Sequence, residues 1–339
     1  MKIITCCSYY GTGSSAITDF FSEFSNVQSL GDYEFRFLHD PDGVRDLEYN
    51  LLDNFNRHNS GHALKRYKRL VDYYCKHFLA KRYAKYFGDN WRRISYEFID
   101  NLTDFSFKGS WQYDYYDRGR IYEFFHKLPD RLLRLTFWKN KPDKSFNTLK
   151  KEITYCSHPD RDNFFGYVKK YTKALFDSVA IDGKEYLMVD QLFPSTNINH
   201  FLDYVDDSFV FVVDRDPRDV FISYKYLYPN SIVPSDVYTF CKWYRYCRST
   251  RNIEEWDKNR IIFVQFEDMI YKYEETSKMI SDFIGISEHC HALPFSRFDP
   301  LKSIKNTRLW DGNNKYKEEV AVIEELLSDY LYTYEGDLK

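Results

Sequence analysis

The chain has 339 residues, 43% of them hydrophobic, with 48 Lys and Arg against 51 Asp and Glu. That is enough apolar material for a substantial core, in one large domain or two smaller ones. A net charge of −3 gives no global attraction to nucleic acid or membranes, and no apolar run approaches the roughly 18 residues of a membrane span. Seven cysteines without a CxxC spacing read as free thiols of a reducing cytoplasm, with no disulfide framework and no zinc site. The N-terminal apolar run, "IITCC", is short and reads as a first strand, not a signal peptide, so a cytoplasmic location is expected.

In chain order, residues 2–7 predict a strand, 14–25 a helix and 27–30 a possible second strand. After an Asp-Pro-Asp-Gly turn, 44–57 look helical. Residues 61–87 form a long helical pattern, with Leu64, Tyr67, Val71, Tyr74 and Phe78 recurring at spacings of three and four. Helices are expected at 91–101 and 161–178; the Tyr-, Pro- and Lys-rich segment 103–160 carries no assignment. Beyond it, strands at 185–194, 208–219 and 260–268 alternate with helices at 219–228, 236–256 and 272–284, and a last helix covers 315–334. Apolar strands alternating with helices indicate a parallel sheet covered on both faces. The expected architecture is one α/β domain spanning 1–339. It is a P-loop-like parallel β-sheet flanked by helices, with a large helical insertion or subdomain at about 40–180.

Two motifs fall at expected strand ends, where ligands of such sheets bind. The first is "YYGTGSSAITDFF", residues 9–21. Unpartnered amides at a helix start favour an anion, and Gly11 and Gly13 let the backbone curl around it. Thr12, Ser14 and Ser15 add hydroxyls. A Walker A loop needs Gly, four residues, then Gly-Lys-Ser/Thr. Here Ser14 follows Gly13, and no Lys or Arg occurs between Ile3 and Asn26. The second motif is "VFVVDRDPRDVFISYKY", residues 210–226. Arg215 closes a strand, Pro217 suits a first helical turn, and Ser223 lies eight residues after Arg215. A guanidinium and a hydroxyl converging on one point form a phosphate clamp. The plainer alternative is a salt-bridge cluster of Arg215, Asp216, Arg218 and Asp219.

Together these motifs resemble the sulfotransferase superfamily, whose members use 3′-phosphoadenosine-5′-phosphosulfate (PAPS). Thr12-Gly13-Ser14-Ser15 matches the family's 5′-phosphosulfate loop, and "RDPRDVFIS", Arg215 to Ser223, matches its 3′-phosphate site. "RIIFVQFEDMI" followed by "ISDFIGIS" is similar to a further family segment. The likeness covers 1–40 and 185–310 in pieces and looks closest to bacterial relatives associated with cell-surface glycans. It implies a metal-free sulfuryl transfer from PAPS, leaving 3′,5′-adenosine bisphosphate. The donor would be held by Gly11, Thr12, Gly13, Ser14, Ser15, Ala16, Arg215 and Ser223. Many relatives carry a Lys or Arg inside the loop where this chain has Gly11, so Arg36, Lys302 or Lys305 must supply the cation, or backbone amides must suffice. The late segment "DPLKSIKNTRLW" sits where the family has a basic loop, which adds Lys302, Lys305 and Asn306 to the donor site.

For the base, the resemblance points to Glu34 in "DYEFRFLHD", with His39 a neighbour suited to proton transfer near neutral pH. In "VDQLFP", Gln191 stands where small-molecule relatives have a His, and it can position a hydroxyl; Asp190 beside it is a second possible base. The stretch 62–93, ten Lys and Arg against two Asp, reads as a solvated helix face or as a docking surface for an acidic glycan or an anionic membrane. No nucleic-acid module is recognised. The expected function is sulfuryl transfer from PAPS to a hydroxyl of a saccharide or glycolipid. A sterol- or phenol-type acceptor, a nucleotide-dependent phosphotransferase, and a binding protein with a degenerate site stay open.

Overall fold

The structure, a computed structural model, describes residues 1–75, 82–146, 148–229, 232–251, 253–312 and 314–334. The chain divides into two compact units, Met1–Asp40 with Thr172–Lys339, and Pro41–Tyr171. Seven strands occur among the described residues: β1 (Lys2–Ser8), β2 (Val27–Ser29), β3 (Phe105–Lys108), β4 (Ile153–Cys156), β5 (Tyr186–Asp190), β6 (Ser208–Asp214) and β7 (Ile261–Gln265).

The first unit is a five-stranded sheet in the order β2-β5-β1-β6-β7, parallel throughout. Its central strands are apolar on both faces because helices cover both; β1 buries five consecutive residues and β5 all five of its own. Phe20, Phe21 and Phe24 from the first helix and its end pack with Phe211 of β6 and with Ile280 and Ile284 of the helix Tyr273–Ile284. The connection after β1 leads toward β2 on one side, and that after β6 leads to β7 on the other. The chain therefore leaves the neighbouring strands β1 and β6 in opposite directions, and such a switch point opens a crevice for ligands. The expected α/β class and parallel sheet are present.

The second unit packs the helix Arg57–Tyr74 against Asn90–Leu102, with the Trp91 indole donating to the Val71 carbonyl at 2.9 Å. Beside them lies an antiparallel pair, β3 with β4, registered from Phe105↔Cys156 to Lys108↔Ile153. This strand pair and the helix Arg120–Leu135 between its strands fall in the unassigned segment. β3 is four exposed residues with no buried alternation to mark it, and Pro129 lies inside the helix, where proline argues against helical structure.

Other boundaries differ for local reasons. The predicted helix 236–256 ends at Cys247, because Arg248 and Arg251 turn away to meet Asp214. The predicted helix 219–228 is Pro217–Ile222 followed by a wider π turn, Ser223–Leu227. Phe78 and part of the 62–93 stretch lie outside the described residues. Of its described cations, Lys65 meets Asp114 at 2.7 Å, Arg66 meets Asp42 at 2.8 Å and Arg69 pairs with Asp117.

Candidate active site

The loop after β1 is built from left-handed backbone. Tyr10, Gly11 and Gly13 have φ of 67°, 76° and 91°, so the chain coils before the helix Ser14–Phe21 begins. The amides of Gly11, Thr12, Gly13, Ser14 and Ser15 have no protein acceptor among the described residues, whereas Ala16 donates to the Gly13 carbonyl at 3.0 Å. Successive inward amides at a helix N-terminus form an anion nest. The two glycines leave space that side chains take up from elsewhere. A Cβ on Gly11 would lie 2.1 Å from the Tyr224 ring, and one on Gly13 would lie 2.7 Å from Phe266. The Thr12 hydroxyl is not part of the nest: it donates to the Val213 carbonyl at 2.6 Å and accepts from the Tyr9 amide, which pins the loop to β6.

Across the crevice, Arg215 follows β6. Its Nη2 donates to the Ser223 hydroxyl at 3.1 Å and to the Asn306 carbonyl at 2.5 Å, and its Nη1 reaches the Gly11 carbonyl at 3.4 Å. Its buried Nε has no hydrogen-bond partner among the described residues. The guanidinium lies over the Phe266 ring, 5.1 Å from its centroid. The loop, Arg215, Ser223 and the Asn306 backbone thus meet at one place. Ser223 opens the π turn, which closes with the Tyr228 amide on the Ser223 carbonyl at 2.7 Å. Such single π turns recur at functional sites.

The remaining charges of "RDPRD" hold the frame. Asp216 caps its helix, accepting from the Arg218 amide at 2.8 Å and from its guanidinium, which also meets Glu324 and covers Trp310. Asp219 accepts from the Arg308 and Leu309 amides at 2.9 and 2.7 Å, and so fixes the late loop that carries Asn306. Of the salt-bridge alternative, Asp216 and Arg218 form the ion pair, whereas Asp219 is held by backbone amides with the Arg215 charge acting on it. Lys302 is exposed and paired with Asp299, and Lys305 is exposed. Asn306 contributes its backbone carbonyl.

The Glu34 and Gln191 side of the crevice is a linked set. The Gln191 side-chain amide donates to the Ser8 and Ser14 hydroxyls at 3.0 and 2.9 Å, and its backbone is held in a left-handed turn at φ 53°. The His39 Nε2 lies 3.0 Å from the Gln191 carbonyl, so that nitrogen carries the proton. Burial lowers the His39 pKa and keeps the ring neutral, which suits it to positioning Gln191. Arg36 pairs with Glu34 at 2.9 Å and with Asp40 at 3.2 Å, with both Glu34 and Arg36 about half exposed. Asp190 is buried beneath the loop and accepts the Cys6 thiol at 2.8 Å. Tyr224 and Phe266 were not singled out in the sequence: Tyr224 merely follows Ser223, and nothing in the pattern marks Phe266.

Three buried carboxyls carry raised pKa values, each chiefly through burial: Asp219 to about 6, Asp190 to about 7 and Glu267 to about 8. Glu267 accepts from the Asp216 amide at 2.9 Å, and its other oxygen has no hydrogen-bond partner among the described residues. Each holds its proton more tightly folded than unfolded. Their stabilisation is fully present below the unfolded values near 4 and is lost as pH rises through 6, 7 and 8. The melting temperature should therefore fall between about pH 4 and pH 8, and Glu267→Gln should flatten the upper part of that fall; an unchanged slope in the variant would contradict the assignment.

The second unit holds a separate cavity of about 230 Å³, lined in part by Asp42, Asp46, His58, His62, Arg66 and Trp111. Its charges are largely spent on one another, through Arg66 with Asp42 and His62 with Asp117.

No protein-family model and no curated protein matches the chain. Among solved structures it is similar to the sulfotransferase domain of the Synechococcus PCC 7002 olefin synthase, at 12% identity and a TM-score of 0.41, covering 100% of this chain and 90% of that one. It is also similar to sulfotransferase STF9 from Mycobacterium avium, at 14% identity and a TM-score of 0.38, covering 98% and 77%. Sulfotransferase STF1 from Mycobacterium tuberculosis H37Rv follows at 12% identity and 0.34, covering 90% and 76%. At these scores the likeness assigns no residue a role.

Proposed function

We propose that the chain is a sulfotransferase that moves a sulfuryl group from PAPS to a hydroxyl of a saccharide or glycolipid. One observation carries this reading: an amide nest and an Arg–Ser clamp share one crevice, with Arg215 touching both Ser223 and the nest's own Gly11. A nucleotide charged at both its 3′ and 5′ positions needs two anion sites of this kind. A triphosphate needs one cradle, usually with a Walker lysine, and this loop has none. The residues fit the donor in two further respects. The buried Nε of Arg215 offers an unused donor, and the glycines permit the tight coil.

The loop amides and the dipole of the helix Ser14–Phe21 would hold the 5′-phosphosulfate and stabilise the charge that grows on the departing phosphate. Arg215 and Ser223 would hold the 3′-phosphate, exchanging the Gly11 and Asn306 carbonyls for phosphate oxygens. When bound, the donor supplies an activated sulfuryl group. Gln191, held by His39, aligns the acceptor hydroxyl, and the Glu34 carboxylate takes its proton. Arg36 would supply the cation that Gly11 cannot, exchanging its present partners Glu34 and Asp40 for the departing phosphate.

Transfer from labelled PAPS to a panel of saccharides, glycolipids, sterols and phenols tests the proposal. Turnover confined to sterols or phenols would replace the acceptor class, and turnover with none would remove the enzyme reading. Glu34→Gln should lower kcat by about a hundredfold or more with nucleotide affinity unchanged. An unchanged kcat would take Glu34 out of its role.

A further inference from the structure

The helix Arg120–Leu135 of the second unit presents its apolar side outward. At 100° per residue, Ile121, Phe124, Phe125, Leu128, Leu132 and Leu135 fall within an arc of about 100°. A surface helix ordinarily buries such a stripe. Here none of its residues is buried: Ile121 is 77% exposed, Phe124 59%, Phe125 63%, Leu132 53% and Leu135 68%, and Phe137 just beyond is 80% exposed. The opposite side is the one that is held. Asp130 accepts from the Phe146 amide at 2.6 Å, the His126 carbonyl accepts from the Thr148 hydroxyl at 3.0 Å, and the Tyr122 hydroxyl accepts from Arg118 at 2.7 Å.

Charge singles out what this face meets. Residues 120–151 carry nine Lys and Arg against three Asp and Glu, a net +6 in a chain whose total is −3. The two acids on the helix are already matched, Glu123 with Lys127 and Asp130 with Arg134 at 2.8 Å. Arg120 and Arg131 are exposed and project along one edge of the stripe, and Lys139, Lys141 and Lys144 follow it, exposed as well. A second copy of the chain would bring two +6 segments together and is disfavoured by repulsion. An anionic lipid surface satisfies both features at once, taking the stripe into its acyl boundary and the cations at its headgroups. A helix of 16 residues, about 24 Å long, lies on such a surface and does not cross it.

We propose that the helix Arg120–Leu135 and the basic segment after it dock the protein on an anionic bilayer surface. This is independent of how the crevice of the first unit is read, since loss of lipid binding would leave nucleotide binding untouched.

The test is sedimentation of the full chain with vesicles of pure phosphatidylcholine, or of equal parts phosphatidylcholine and phosphatidylglycerol. Binding to the mixed vesicles is expected to be at least about tenfold tighter than to the neutral ones and to weaken with added salt. Phe124→Glu with Leu132→Glu should lose about tenfold or more of that affinity with an unchanged melting temperature. Arg131→Gln with Lys139→Gln, outside the stripe, should weaken binding to the mixed vesicles alone. Absent binding to mixed vesicles, equal binding to both kinds, or full binding by the glutamate variant overturns the proposal. So does a concentration-dependent dimer that the glutamate variant dissolves, which would make this face a contact between copies.

Discussion

Arg215→Ala is expected to raise the dissociation constant for 3′,5′-adenosine bisphosphate by about a hundredfold or more in a calorimetric titration. Truncating one partner of a desolvated, charge-assisted contact costs about 2–5 kcal/mol. Arg215 is 7% exposed and donates to three acceptors around the crevice, so no neighbouring cation can swing in to replace it. Arg215→Lys should recover little, because a single ammonium cannot reproduce a fork that reaches Ser223 and the loop together. The fold should survive both changes. Asp216 caps the helix and Asp219 holds the late loop through hydrogen bonds that do not involve Arg215. An affinity within threefold of the wild type would mean that the guanidinium does not meet the ligand.

Gly13→Ala should be the most damaging small change in the loop, costing about 2–5 kcal/mol of stability together with nucleotide affinity. Two penalties add. At φ 91° an L-residue is strained, by roughly 1–2 kcal/mol. The new methyl also lies 2.7 Å from Phe266, a ring set in the first unit's core and unable to retreat without overpacking, at about 1–3 kcal/mol. Gly11→Ala provides the contrast. Its methyl would meet the outer edge of Tyr224, which is the far end of a partly exposed side chain and can rotate. Urea denaturation of the two variants separates these cases: Gly13→Ala should fall well below Gly11→Ala, and equal stability would show that the Phe266 contact does not constrain the loop.

The parallel sheet and the two anion motifs were legible because their signals are local. β1, β5, β6 and β7 are unbroken apolar runs, Gly11 and Gly13 mark the coil, and Arg215, Pro217 and Ser223 carry their spacing in plain view. What could not be read depends on distant partners. Nothing near Thr12 shows that its hydroxyl is spent on Val213, and nothing near Asn306 shows that its carbonyl meets Arg215. Asp190 reads as a strand-end acid, and only the fold buries it against Cys6. The apolar residues of the helix Arg120–Leu135 recur at helical spacing, but Pro129 inside it argued against a helix.

The account rests on one ligand spanning the Thr12–Ser15 amides and the Arg215–Ser223 pair. Titration of the wild-type chain with 3′,5′-adenosine bisphosphate, 5′-AMP, 3′-AMP and ATP-Mg tests this directly. The bisphosphate should bind one to one, more than about tenfold tighter than either monophosphate, because each lacks one of the two charge-assisted contacts. Equal affinity for 5′-AMP and the bisphosphate, or binding of ATP-Mg alone, would contradict it.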